Sequence, residues 1–128
     1  MNYLSAKSFI ISELDKLSHL LTYHGKHHTL DVLTVAERLC VAENMPDHET
    51  ALILTAALFH DSGFLNHYQN HEMHSCTIAR KVLPQFDYTE GAIEQICAMI
   101  MATKIPQTPL DHSAEILCDA DLDYFHLK

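Results

Sequence analysis

Glycine and proline are scarce in this chain, at 3 and 4 of 128 residues. So few breakers let long segments stay helical, and apolar residues recur mostly at helical spacing, with no convincing strand. Basic residues are also few. The 8 Lys and Arg stand against 17 Asp and Glu, for a formal charge of −9. A protein that coats nucleic acid or lies on a membrane surface needs a basic face to meet phosphates, so the balance argues against both. No run reaches the roughly 18 apolar residues of a membrane span. Met1 to Lys7 lacks the basic start and apolar core of a signal peptide, and the expected location is cytoplasmic. The 4 cysteines form no C-x-x-C pair. Each lies in a helix-like pattern, so Cys40, Cys76, Cys97 and Cys118 read as buried free thiols ahead of structural zinc.

Histidine is what the chain has in excess: 11, more than Lys and Arg together. Surface drift and metal binding both produce such a count, and position has to decide between them. A length of 128 residues with 48% hydrophobic content suits one domain, 1–128, with one core. The helical pattern is still running at Lys128, so a longer native protein is one expectation. The oligomeric state is not readable.

Five or six helices are expected. The first covers residues 4–21, with Ile10, Leu14, Leu17 and Leu21 as its stripe and Gly25 just past its end. The second covers 26–43, with Val32, Val35, Ala36 and Leu39 inward; His28 falls on that face, and His24 stacks one turn before it. The third is capped by Asp47. Its run from Ala51 to Phe59 is apolar except for Thr55, so it is buried all round, and it stops on His60-Asp61-Ser62-Gly63. Phe64 to Gln69 reads as a loop. The fourth helix starts at the Asn70 cap and runs to Val82, and the fifth covers 89–102 with Ile93, Ile96, Cys97 and Ile100 inward. Pro106 and Pro109 force a loop. The last helix opens at Asp111 or Ser113 and places Leu117, Ala120, Tyr124 and Leu127 on its core face, with Asp121 in the middle of that stripe.

Four ligand-type side chains therefore point inward: His28, His60, Asp61 and Asp121. Burying a charged carboxylate costs several kcal/mol or more unless something pairs with it. A divalent ion would meet that cost. The mixed N/O set suits Mn, Fe, Co, Zn or Mg, and an ion there would activate a water and polarise a phosphoryl oxygen.

The segments Tyr23-His24-x-x-x-His28-Thr29, Ala57-Leu-Phe-His60-Asp61-Ser-Gly63, His71-Glu72-x-x-Ser75 and Asp119-Ala-Asp121-Leu122 occur in this order. With them the chain resembles the HD-domain superfamily of metal-dependent phosphohydrolases. The resemblance implies an all-α helical bundle and hydrolysis of a small phosphate ester, a nucleotide or a related phosphomonoester or diester. It implies a divalent metal ion, one per chain, held by His28, His60, Asp61 and Asp121, with Asp119 the competing last ligand and a second ion reachable through His71. His24 matches a histidine that protonates the leaving oxygen in the related cyclic-nucleotide phosphodiesterases. Glu72 is the candidate to orient water or substrate, against the plain reading of an acid in a first helical turn. Lys104 could hold a phosphate at the pocket mouth, against the plain reading of a solvated loop lysine. His71 and His74 read as solvated. The other readings are a non-catalytic nucleotide- or metal-sensing module and a di-iron oxygenase.

Overall fold

The third helix is where the packing converges. The computed structural model describes residues 1–16, 26–65 and 70–126, and six α-helices carry the fold: α1 Tyr3–Asp15, α2 Lys26–Ala42, α3 Asp47–Phe59, α4 His71–Val82, α5 Glu90–Ala102 and α6 His112–His126. No strand occurs among the described residues. Every residue of α3 from Leu52 to Phe59 is buried, and α3 packs against the other five helices. Each large apolar side chain so enclosed stabilises the fold by about 1.5–3 kcal/mol. The single polar residue in this stretch is accounted for. Thr55 donates to the Ala51 carbonyl at 2.7 Å and so accepts the Tyr88 hydroxyl, also at 2.7 Å.

Among the described residues the expected stripes form the core, with Leu127 outside them. Ile10 and Leu14 of α1, Val32, Val35 and Ala36 of α2, Ile93, Ile96, Cys97 and Ile100 of α5, and Leu117 and Ala120 of α6 are all buried, while Leu39 is partly so. All four cysteines are free and buried. Among the described residues no helix is long and apolar enough to cross a membrane.

The helix ends differ from expectation in several places. α1 is described to Asp15, with Lys16 at its C-cap; Leu17, Leu21, His24 and Gly25 lie outside the described residues. Pro46, not Asp47, is the N-cap of α3. Asp47 and Glu49 instead lie in the first turn, where the helix dipole favours acids. Glu49 also accepts the Ser113 hydroxyl at 3.0 Å, which ties the start of α6 to α3. Asn70 caps α4 in the left-handed region at φ 55 and makes no side-chain cap bond. Asp111 decides the start of α6 by accepting the Ala114 N–H at 2.8 Å. The stretch read as a loop after Gly63 begins with a 3₁₀ turn over Ser62–Leu65, and Pro84 ends α4 in a second 3₁₀ turn, Leu83–Phe86.

Candidate metal centre

α3 delivers His60 at its C-cap, with Asp61 directly after it. The His60 ring is held from behind: Nδ1 lies 2.7 Å from the Ala57 carbonyl. A carbonyl only accepts, so Nδ1 carries the proton and the neutral ring offers the Nε2 lone pair to the site. The turn itself is braced by α4. The buried Ser75 hydroxyl donates to the His60 carbonyl at 2.9 Å and accepts the Gly63 N–H at 2.7 Å. Ser62 closes the turn by donating to the Phe59 carbonyl at 2.7 Å. The end of a helix would otherwise leave such groups without partners.

Four polar side chains from three segments meet in front of this turn. His28 Nε2 of α2 lies 3.2 Å from Asp61 Oδ2 and 3.5 Å from Asp121 Oδ1 of α6. His60 Nε2 lies 3.3 Å from the same Asp121 oxygen and 3.6 Å from Asp61 Oδ1. One ligand atom from each of His28, His60 and Asp121 falls within 4.8 Å of the other two. His28 is 3% exposed, His60 1% and Asp61 4%; the Asp121 side chain, at 16%, leaves the way in.

The electrostatics are those of a cation site. Burial acts to lower the affinity of His60 for a proton, but the charges of Asp61 and Asp121 outweigh it and raise its pKa to about 10. At His28 burial again works downward, and the hydrogen bonds to Asp121 and Asp61 more than reverse it, so the net shift is upward. Burial would raise the Asp121 pKa, yet bonding to His28 and His60 brings it down to about 2. The two carboxylates thus draw positive charge onto the imidazoles. A divalent ion held by this group would supply that charge. The donor set, two imidazoles and two carboxylates with no thiolate, suits Mn, Fe, Co, Zn or Mg.

The remaining expected residues are distributed as follows. Asp119 lines a groove with Val35, Arg38, Leu39 and Ala42 on the outer side of α2 and α6. It is not in the cluster, because two residues along a helix turn the side chain through more than half a circle. His71 joins the site's edge: its Nε2 lies 3.2 Å from Asp61 Oδ1 and 3.0 Å from Glu72 Oε2. Glu72 is buried at 8% exposure, which an acid serving only the α4 dipole would not need to be. His74 is only partly buried. Lys104 is exposed, and its ammonium makes no hydrogen bond or ion pair among the described residues. The loop instead sends in Gln107, whose Nε2 donates to Asp121 Oδ2 at 3.3 Å. Sequence reasoning missed Gln107 because a carboxamide in a proline-rich loop carries no period and no charge. His24 lies outside the described residues.

Fold and site together define an all-α bundle with a buried His/Asp centre of the kind that binds a divalent cation. The HD domain matches residues 25–123, which is most of the chain, and the protein belongs to the HD-domain family, a family of metal-dependent phosphohydrolases. An uncharacterized protein of Clostridium beijerinckii is 29% identical over 101 residues, covering 77% of this chain. The match takes in 62% of that relative's length. No solved structure matches.

Proposed function

We propose that this protein is a phosphohydrolase acting on a small phosphate ester, a nucleotide or related phosphomonoester or diester, with one divalent ion held by His28, His60, Asp61 and Asp121. The observation that carries the reading is the convergence of the His28 and His60 Nε2 atoms on the same Asp121 oxygen, at 3.5 and 3.3 Å. When bound, the ion supplies Lewis acidity toward a phosphoryl oxygen and activates the attacking water.

The chain's own residues do the rest. Asp61 and Asp121 provide the negative charge that selects a cation. Ala57 fixes the His60 tautomer through Nδ1, and Gln107 steadies the outer oxygen of Asp121. Glu72, bonded to His71 beside Asp61, orients the attacking water. His24 donates a proton to the leaving oxygen, a role that rests on its place in the Tyr23-His24-x-x-x-His28 segment. Lys104, on the exposed loop after α5, meets a phosphate as it approaches. The protein works in the cytoplasm, on a free phosphorylated metabolite rather than on nucleic acid or a membrane.

Metal analysis of protein purified without chelator, followed by a phosphate-ester panel with Mn, Fe, Co, Zn and Mg, tests the reading. One tightly held ion per chain and ion-dependent phosphate release are expected. Protein that arrives without metal and binds none of the five ions would overturn it. Metal retention without turnover on a broad panel would select a sensing module instead. Two ions per chain would bring in His71, and with iron would turn attention to oxygenase chemistry.

A further inference from the structure

A second chemical feature lies away from the metal centre, where α4 packs on α5. The contact runs antiparallel: position 76 faces 97, and position 80 faces 94. Cys76 Sγ donates to the Cys97 carbonyl at 3.4 Å, and Cys97 Sγ donates back to the Cys76 carbonyl at 3.8 Å. Each sulfur therefore rests on the other residue's backbone. One turn further on, Arg80 Nε and a terminal guanidinium nitrogen grip the Glu94 carboxylate at 2.9 and 3.1 Å, which fixes this register.

A disulfide requires close opposition, with Cα atoms about 4.4–6.8 Å apart, and these two cysteines face one another on neighbouring helices. Cys40 and Cys118 provide the internal comparison. They are as buried, at 2 and 3% exposure against 2% for each of the pair, but Cys118 donates to the Ala102 carbonyl at 3.4 Å and not to a second cysteine. An open cleft of about 400 Å³ is lined by Arg80, Pro84, Tyr88, Ile93 and Glu94. Arg80 is one turn from Cys76, and Ile93 one turn from Cys97. The two thiols differ in character. The neighbouring Cys76 and the Arg80 charge hold the Cys97 thiol below its ordinary pKa, while the neighbouring Cys97 and burial push Cys76 up. The thiolate is the nucleophile in such chemistry.

The geometry points to Cys76 and Cys97 as a dithiol that a small peroxide closes to a disulfide between α4 and α5. The Cys97 thiolate attacks one peroxide oxygen and breaks the O–O bond; with the proton it gave up, this leaves a sulfenic acid and one water. The Cys76 sulfur then attacks that sulfur, its proton and the departing hydroxyl leave as a second water, and the disulfide forms. Two thiols are oxidised and one hydrogen peroxide is reduced. The crosslink lies one residue from Ser75, whose hydroxyl braces the His60–Gly63 turn.

The test treats the full chain with hydrogen peroxide without denaturant, then unfolds it in iodoacetamide and maps the peptides. The expected product is a linked Cys76–Cys97 peptide, reversed by dithiothreitol, at doses that leave Cys40 and Cys118 alkylated. Cys76→Ser should remove the resolving thiol and leave Cys97 as a sulfenic acid that a 1,3-dione captures. The proposal fails if no linked peptide forms in the unmutated chain, or if all four cysteines oxidise in parallel.

Discussion

Replacing Gly63 with alanine probes the link between the His60–Asp61 turn and α4. The backbone of Gly63 is not in the positive-φ region, so glycine is needed there for space rather than for conformation. A Cβ at Gly63 would run into the His71 carbonyl oxygen and stand 2.8 and 2.9 Å from that residue's carbonyl carbon and Cα. Carbon atoms in ordinary contact are about 3.5–4.0 Å apart. All three obstacles are backbone atoms, so no rotamer change relieves them, and α4 must move by roughly the difference. Overpacking of this kind costs about 1–3 kcal/mol. The same movement breaks the Ser75 bridge to His60 and Gly63, two bonds now at 2.9 and 2.7 Å, each contributing about 1 kcal/mol. The expected loss is therefore about 3–5 kcal/mol, a large part of the roughly 5–15 kcal/mol by which a domain is stable. At about 4 °C per kcal/mol for a chain of this size, Tm falls by roughly 10–20 °C. Gly91→Ala is the control. Its Cβ meets nothing within 4 Å, and it lies in the first turn of α5, so it should raise stability by about 0.5–1 kcal/mol. Circular dichroism melts and urea midpoints of both variants decide the matter. A Gly63→Ala protein that melts within a few degrees of the unmutated one, with metal affinity unchanged, would refute the reasoning.

Three further outcomes can be measured on the same protein. Asp121→Asn should abolish tight metal binding, whereas Asp119→Asn, in the outer groove with Arg38, should leave it unchanged; calorimetric titration with Mn or Zn compares them, and equal losses would reopen the choice of last ligand. Gln107→Ala removes the 3.3 Å bond to Asp121 and should weaken metal binding about 10–100-fold, as loss of a partner behind a ligand usually does; an unchanged Kd counts against that role. The pH dependence of stability should reverse sign with metal. Without metal, stabilisation from His60, raised from 6.5 to about 10, is full below pH 6.5 and disappears as pH rises through 10. That from Asp121, lowered from 3.8 to about 2, is present above pH 3.8 and disappears as pH falls through 2. Metal needs neutral imidazoles, so the rise in Tm caused by added metal should grow between pH 5 and pH 8; a rise that shrinks over this range would contradict the assignment of His28 and His60.

The parts of the site that were legible in the sequence are those that break a periodic pattern. Asp121 could be read because a carboxylate in the stripe of Leu117 and Ala120 contradicts the burial of its neighbours. His60 and Asp61 could be read because they end a stretch that is buried on every side. His28 shares a face with Val32, and both are buried. Residues held by irregular backbone gave no such signal. Gln107 reaches Asp121 only because the loop folds back, with the Thr108 N–H on the Ala102 carbonyl at 3.1 Å, and nothing in residues 103–110 specifies that closure. Lys104 was legible only through its charge, since no period on its exposed loop marks a partner. The α3 cap was read one residue off, at Asp47 instead of Pro46, and Asn70, read correctly as the α4 cap, acts without a side-chain bond.

The same distinction explains why the centre depends on α4 although none of the four proposed ligands comes from it. A helix end buried in the core has carbonyls that water cannot reach, and leaving one without a partner costs about 1–3 kcal/mol. Ser75 meets that need at His60 and, through Gly63, fixes where the chain goes next. The seating of His71 against Asp61 follows from it, because His71 and Ser75 are one turn apart on α4 and share a face. Glycine at position 63 allows the approach, and the α4–α5 packing behind Cys76 holds α4 in place. Positions of His60 and Asp61 are thus set from two sides: by α3, which carries them, and by α4, which closes the turn. Substitutions on the buried face of α4 should therefore alter metal affinity even where they touch no ligand.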